Sequence, residues 1–227
     1  MAEKPYDRLD GVIWYDGKLV PWGEATLHVL SHGLHYASSV FEGERAYGGE
    51  IFKCTEHSQR LKRSAELLDF DIPYSVAEID AAKRLVLEKN AQSDAYVRPI
   101  SWRGSEMMGV SAQHNKIHLA IATWQWPSYF DPVQRLKGIR LDLADYRRPD
   151  PKTAPALAKR RGIEVIERRI MPDELSGLPE CFITGSAAEV TAVSEIAHWR
   201  FTPGAISKQL MEDYTAEVQP KGKAAAA

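Results

Sequence analysis

The sequence contains few cysteines, no long apolar run and no marked excess of either charge. Its two cysteines, Cys54 and Cys181, are too few and too isolated for a disulfide framework or a cysteine metal site, which favours a reducing, intracellular setting. The net charge of −2 provides no electrostatic attraction for nucleic acid or an anionic membrane. Polar residues follow Met1, and no apolar stretch is long enough to cross a bilayer. We therefore expect no signal peptide, no membrane segment and a cytoplasmic protein.

Several common chemical motifs are also missing. There is no glycine-rich phosphate loop and no internal repeat. His32, His35 and His57 are not at metal-ligand spacing with acidic residues or cysteines, so we expect no metal site. The basic run 159–161 is too short for a nucleic-acid footprint. What remains is a chain of 227 residues, 44% apolar and 26% charged, which is long enough to bury a core.

Local patterns predict an α+β fold, in which helices are grouped together rather than alternating with strands. Asp16-Gly17 between two apolar runs predicts a hairpin over 12–20. Ser75 and Glu78 form a capping box that opens a helix. The other N-terminal elements are two or three strands within 26–53, a helix from a Thr55 cap to about Leu68 with Leu61, Ala65 and Leu68 buried, and strands at 96–102, 117–124 and 139–146.

A proline-rich stretch predicts the domain boundary. Three prolines lie within 147–156, and no other part of the chain is as rich in turn signals. Beyond it we expect a short helix to about Arg161, a strand at 163–167, strands near Phe182 and Val190, and a final helix from about Ala205 to Val218. The predicted domains are an N-terminal α+β domain (1–146), an interdomain loop (147–156), a shortened C-terminal domain (157–218) and a disordered tail (219–227).

The segment 32–47 concentrates more polar and aromatic side chains than a packing strand needs. In extended chain, residues two apart share a face, which groups Phe41, Gly43, Arg45 and Tyr47. Phe41 supplies an apolar wall, Gly43 a position where backbone can come close, Arg45 a fixed cation and Tyr47 a phenol. Together they suit a small anionic substrate with an apolar part. The alternative is a twisted core strand from which Arg45 extends its charge to solvent.

Three long motifs follow one another along the chain: the segment His32 to Arg45, then Tyr96-Val97-Arg98-Pro99, then Gly185-Ser186-Ala187-Ala188-Glu189-Val190-Thr191. They resemble motifs of the branched-chain amino acid aminotransferases, which are fold type IV enzymes that use pyridoxal phosphate. The motifs occur in the family's order, and the resemblance extends over nearly the whole chain. It implies amino transfer between leucine, isoleucine or valine and 2-oxoglutarate, small-molecule partners, a homodimer or higher homo-oligomer, and a second, α/β barrel-like domain that is shortened here.

By the same resemblance, two elements bind the cofactor phosphate. One is Arg60 in a Glu-His-x-x-Arg-Leu motif, where a fork of donors on a helix suits phosphate. The other is the turn Gly185, Ser186 and Ala187, whose small residues let backbone amides approach oxygens. The alternatives are a solvated helix arginine and a plain turn between strands.

The resemblance also implies a substrate pocket. Tyr96 and Arg98 share a strand face and orient the substrate α-carboxylate. Residues equivalent to Tyr36 and Val110 reach across to the neighbouring subunit's pocket in the family's dimers. The implied substrate-binding residues are Tyr36, Phe41, Gly43, Arg45, Tyr96, Arg98, Val110 and Tyr129.

The lysine that binds the cofactor has two competing interpretations. Lys159 stands four residues after Pro155, the family's spacing, and is the candidate catalytic residue. Yet Lys159 to Arg161 followed by Gly162 is also typical of a helix C-terminus, because cations and glycine both favour that position. The second interpretation implies that several dozen family residues are absent near residue 157.

That absent block affects the functional hypotheses. It would hold a glutamate for the pyridine nitrogen and a Gly-Ile-Thr turn for phosphate, and the sequence has neither Glu-x-x-x-x-Asn nor Gly-Ile-Thr. The first hypothesis is therefore the aminotransferase, and the second is a catalytically inactive homologue that retains only dimerisation or weak ligand binding. A related lyase or D-amino acid aminotransferase is the third, which the motif Phe-Glu-Gly-x-Arg disfavours.

Overall fold

The computed structural model describes residues 4–126, 137–142, 170–185 and 188–218. The chain divides into two compact units, residues 1–127 with 218–227, and residues 128–217. The predicted boundary at 147–156 lies outside the described residues and stays a prediction, as do the predicted domain limits. Each unit contains both strands and helices, which confirms the α+β class.

A seven-stranded sheet forms the centre of the first unit. All of its strand pairs are antiparallel, in the order β2-β1-β7-β6-β4-β5, with β3 also paired to β6. The strands are β1 (Val12–Tyr15), β2 (Lys18–Pro21), β3 (Ser39–Phe41), β4 (Glu44–Tyr47), β5 (Glu50–Ile51), β6 (Ala95–Arg103) and β7 (Ile117–Gln125).

The hairpin of β1 and β2 forms as predicted. Asp16 and Gly17 both have positive φ, 47° and 94°, which a two-residue hairpin turn of this hand requires. The Asp16 carboxylate also accepts a hydrogen bond from the backbone N–H of Leu119 at 3.0 Å. The turn therefore attaches the hairpin to β7.

Three helices belong to the same unit: α1 (His32–Tyr36), α2 (Cys54–Leu67) and α3 (Val76–Lys89). Ser75 and Glu78 form the predicted capping box at the start of α3. The predicted cap of α2 was wrong, because Lys53 in the left-handed region precedes the helix and the Thr55 hydroxyl donates to Asp80 instead. Leu68 is 37% exposed, so it was wrongly included in the buried stripe.

Helix α1 was missed by the sequence patterns, which gave only strands between residues 26 and 53. Five residues are too few for a helix to be stable by itself, so its contacts must hold it. The His32 imidazole bonds to the Ser38 hydroxyl at 2.6 Å and to the Gly109 carbonyl at 3.1 Å. The helix ends at Ala37, which has φ 54°.

Helices α2 and α3 pack on one face of the sheet and bury the main core. Alternation along β6 sends Ala95 and Val97 into that core and leaves Tyr96 and Arg98 on the opposite face, here called the open face. The core residues that are fully or nearly fully buried include Leu61, Ala65, Ile79, Val86, Leu87, Leu119 and Ile121.

The second unit contains a smaller sheet around one central strand. That strand pairs antiparallel with two neighbours and parallel with the third. The predicted strand over 139–146 is described only to residue 141, and the elements predicted at 157–167 lie outside the described residues. The elements are β8 (Ile139–Leu141), a 3-10 helix (Pro172–Gly177), β9 (Cys181–Gly185), β10 (Glu189–Ile196), β11 (Trp199–Arg200) and α4 (Ala205–Val218).

No helix in the described ranges is both long enough and apolar enough to cross a membrane.

Candidate active site

The strand register gathers the charged and aromatic residues of the candidate site on the open face. Phe41 pairs with Ile100 and Arg45 pairs with Tyr96. The ladder is interrupted between them because Pro99 has no N–H to donate, but the Pro99 carbonyl still accepts from the Glu42 N–H at 3.0 Å.

Because the register continues unchanged across this interruption, it sets Gly43 opposite Arg98. Directly opposite residues of an antiparallel pair point to the same face. A glycine at position 43 therefore adds no side chain beside Arg98.

Arg98 is enclosed by aromatic groups. Its guanidinium carbon lies 4.4 Å from the Phe41 ring centre and 5.1 Å from that of Tyr96. Its Nη2 donates to the Tyr96 hydroxyl at 2.9 Å, while Nε is buried and has no hydrogen-bond partner within the described ranges. The rings fix the cation without neutralising it.

Arg45 is 7% exposed and has no acidic partner in the described part of the chain. Its Nη2 makes one long contact, 3.5 Å, to the carbonyl of Trp126, and its guanidinium lies 5.2 Å from the Tyr47 ring centre. Nε and Nη1 are buried, and no described residue accepts a hydrogen bond from either of them. A buried cation in this state is costly unless an anion completes its surroundings.

Trp124 belongs to this face and was not among the predicted site residues. Its ring stacks on Tyr96 with 4.9 Å between centres and lies 6.1 Å from the Trp126 ring. The signal was present, since alternation along β7 sets Trp124 on the same face as Ala120 and Ala122. The aromatic rings supply an apolar surface next to the two arginines.

A cavity of about 250 Å³ lies on the same face. The described residues that line it are mainly apolar, among them Leu34, Ile100 and Trp102, and Arg98 is the one charged residue of that described lining. The open face can therefore hold a small carboxylic acid with an apolar part.

Tyr36 and the loop that carries Val110 lie together. The Tyr36 hydroxyl donates to the Met108 carbonyl at 3.2 Å, and its ring stacks on His32 with 4.5 Å between centres. Tyr36 is 47% exposed and Val110 is 87% exposed. Both residues are thus presented to the surface, and their substrate role stays a prediction.

Arg60 lies on α2 and pairs with a glutamate on the side of the sheet that the helices cover. Its Nε and Nη2 donate to the two carboxylate oxygens of Glu42, both at 2.5 Å. Burial would raise the pKa of Glu42, but the hydrogen bonds from Arg60 and His57 outweigh it and lower the pKa to about 2. The Arg60 side chain is 30% exposed, so it is accessible to a ligand.

The remaining predicted residues lie in or near the part that is not described. Gly185 ends β9 and pairs with Glu189 at the start of β10. Ser186, Ala187, Tyr129 and Lys159 are outside the described residues.

The described ranges contain neither a group of side chains that could hold a metal ion nor an activated thiol. No group of three or more His, Cys, Asp or Glu side chains is arranged to hold a metal ion there. Burial raises the pKa of Cys54 to about 12 and also raises that of Cys181, so neither thiol is activated.

Comparison with known proteins places these residues in a family. A family model described as amino-transferase class IV matches residues 39–155, slightly more than half of the chain. The branched-chain-amino-acid aminotransferase of Pseudomonas aeruginosa is 40% identical over 172 residues, which are 74% of this chain and 56% of the relative. The chain thus spans about half the length of the curated relatives it matches.

Solved structures show the same fold. A branched-chain aminotransferase from T.th., solved with pyridoxamine 5′-phosphate, has a TM-score of 0.83 at 29% identity, covering 93% of this chain and 95% of that one. The branched-chain aminotransferase of Escherichia coli has a TM-score of 0.84 at 24% identity, covering 94% and 97%.

Proposed function

The chain belongs to the amino-transferase class IV family, and on that premise we propose that it exchanges an amino group between branched-chain amino acids and 2-oxoglutarate, using pyridoxal phosphate. The observation that supports this most is Arg45, a buried cation on a face lined by aromatic rings, with two donor atoms that make no hydrogen bond to any described residue. Such a face suits an acid with a leucine-, isoleucine- or valine-like side chain.

The described residues fit the cofactor's phosphate. Glu42 occupies only the Nε and Nη2 edge of Arg60, and no described residue hydrogen-bonds to its Nη1. We propose Arg60, Gly185, Ser186 and Ala187 as its phosphate-binding residues. When bound, pyridoxal phosphate supplies an electron sink at the substrate α-carbon.

The chain's own residues have three tasks in this proposal. Arg45, Tyr96 and Arg98 orient the substrate carboxylate by charge-assisted hydrogen bonds. The side chains of Phe41 and Tyr129, with the open position at Gly43, enclose the apolar part. Lys159, by the resemblance stated above, would move the proton at the α-carbon.

We further propose a cytoplasmic homodimer. Leu34, Tyr36 and Val110 are 63%, 47% and 87% exposed, an amount of apolar surface that suits a partner. A second copy of the chain would cover this apolar surface, with Tyr36 and Val110 of each copy reaching the open face of the other.

A second candidate function is that of an inactive homologue that only dimerises or binds ligand weakly. It is favoured by the missing Glu-x-x-x-x-Asn and Gly-Ile-Thr motifs, since their absence removes the acid partner of the pyridine nitrogen and one phosphate contact.

One experiment separates the two. The purified chain is incubated with pyridoxal phosphate, reduced with borohydride and mapped by mass spectrometry, while glutamate formation from leucine and 2-oxoglutarate is measured in parallel. The enzyme proposal expects one labelled lysine and glutamate formation, both lost in Lys159→Ala. Labelling that is lost in Lys152→Ala instead would show that the lysine assignment is wrong, and no labelled lysine would refute the enzyme proposal.

A further inference from the structure

Glu42 has no role in the proposed reaction. Its carboxylate is nevertheless more completely hydrogen-bonded than the other charged side chains of the candidate site. It is 4% exposed and lies between β3 and β4. Both carboxylate oxygens accept from Arg60, and Oε2 also accepts from His57 Nδ1 at 2.8 Å. Since a carboxylate can only accept, this contact requires that His57 carries its proton on Nδ1.

We propose that Glu42 is a positioning residue that holds the Arg60 guanidinium in the orientation that receives the cofactor phosphate. This inference rests on the proposed function, because it takes Arg60 as a phosphate ligand.

The shape of the pair supports this role over a purely structural one. The carboxylate is 5% exposed while the Arg60 side chain is 30% exposed. A two-point contact fixes the plane of a guanidinium, so one edge is held by Glu42 and the other is directed away from it. An arginine fixed in this way loses little rotational freedom when an anion binds.

A second buried carboxylate on the same strand segment offers a comparison. Glu44 lies 2.6 Å from Lys83 Nζ, and both side chains are 0% exposed. That pair is closed to any ligand, whereas the Glu42–Arg60 pair is accessible from one side. The two glutamates therefore provide a test variant and a matched control.

The experiment measures dissociation constants for pyridoxal phosphate and for pyridoxal, which lacks the phosphate, by equilibrium dialysis. The variants are Glu42→Gln, Glu44→Gln, Arg60→Met and the double variant Glu42→Gln/Arg60→Met. We expect Glu42→Gln to weaken pyridoxal phosphate binding about tenfold, or ~1.4 kcal/mol, and to leave pyridoxal binding unchanged. Glu44→Gln should leave the ratio of the two constants at the wild-type value.

The double variant adds a second criterion. If Glu42 acts through Arg60, then Glu42→Gln causes no further loss in the Arg60→Met background. Equal losses for both ligands, an unchanged ratio in Glu42→Gln or full additivity would each overturn the positioning role. If Glu42→Gln fails to fold, judged by circular dichroism, Glu42→Asp takes its place, since the shorter side chain withdraws the carboxylate but keeps its charge.

Failure of the proposed function has a different signature. In that case the wild-type chain itself shows no preference for pyridoxal phosphate over pyridoxal, and both proposals fall together. A clear wild-type preference that Glu42→Gln preserves overturns the positioning role alone.

Discussion

The two faces of the first unit's sheet hold buried charges in different ways. On the face covered by α2 and α3, two buried carboxylates are paired with cations at short distance: Glu44 with Lys83 at 2.6 Å and Glu42 with Arg60 at 2.5 Å. On the open face, Arg45 and Arg98 contact rings and carbonyl or hydroxyl oxygens but no carboxylate of the described residues.

The difference separates structural charges from ligand-binding ones. A buried ion pair neutralises its own charges and favours one arrangement of helices on strands. A buried cation that lacks an anion raises the free energy of the folded chain, and it persists where a ligand completes it. The Arg60 side chain on the covered face combines both states, because it is paired with Glu42 and is nevertheless 30% exposed.

The largest effect is expected from breaking the closed pair. Glu44→Ala leaves the Lys83 ammonium buried without its partner, which costs about 3–5 kcal/mol of unfolding free energy. The double variant Glu44→Leu/Lys83→Met should recover most of this loss, because neither charge remains buried. Urea denaturation followed by circular dichroism measures both, and a loss below about 1 kcal/mol in Glu44→Ala would contradict the assignment.

The two glutamates should give opposite pH dependences. Because the folded-state pKa of Glu42 is lowered from 4.5 to about 2, its stabilisation is complete above about pH 4.5 and is lost as the pH falls towards 2. Burial raises the pKa of Glu44 to about 7, against the opposing effect of Lys83, so its contribution weakens as the pH rises from about 4.5 to 7.

Unfolding free energies measured from pH 2 to 8 test these directions. Glu42→Gln should remove part of the acid-side loss, and Glu44→Gln should remove part of the decline between about pH 4.5 and 7. If both variants retain the wild-type profile, the two carboxylates do not titrate differently in the folded chain.

Substitutions of two buried arginines, Arg103 and Arg45, test this comparison further. Arg103 donates through Nη1 to the Ala112 carbonyl at 2.7 Å and through Nη2 to the Asp69 carbonyl. Arg103→Met should therefore lower stability by about 2 kcal/mol, because those carbonyls lose their donors. Arg45→Met should leave stability unchanged or raise it by up to about 1 kcal/mol, since it removes buried donors that have no acceptor among the described residues.

The same Arg45→Met variant should lose function. Removal of a charge-assisted hydrogen bond to the substrate carboxylate costs about 1.5–3 kcal/mol, or roughly a 10- to 100-fold loss in kcat/KM with leucine. Equal destabilisation by Arg45→Met and Arg103→Met would instead show that both arginines are structural.

The smallest effect on stability is expected at Val110. Because it is 87% exposed, Val110→Ser should change the unfolding free energy by no more than about 0.5 kcal/mol. Its effect should appear in sedimentation equilibrium as a weaker dimer. An unaltered association constant would remove Val110 from the proposed interface.

The features that the sequence predicted best are those formed by residues close together in the chain. The Asp16-Gly17 turn and the Ser75 capping box each depend on residues within three positions of one another, and both form as predicted. Alternation also set Phe41 and Arg45 on one face. These features need no information about distant parts of the chain.

Contacts between distant residues could not be predicted in this way. Thr55 donates to Asp80, 25 positions later, rather than capping its own helix. Helix α1 depends on Gly109, which is 77 positions from His32. The buried ion pair of Glu44 with Lys83 joins a strand to a helix, and nothing in the local pattern distinguishes it from two surface charges.

The most direct test of the open face as a carboxylate site is a titration of 4-methylvaleric acid, followed by tryptophan fluorescence from Trp124, into the chain loaded with pyridoxal phosphate. We expect saturable quenching in the wild type and an affinity at least about tenfold lower in Arg45→Met, with Arg103→Met close to the wild type. Equal affinity in the wild type and Arg45→Met, or no binding by either, would contradict the role given to the unpaired arginine.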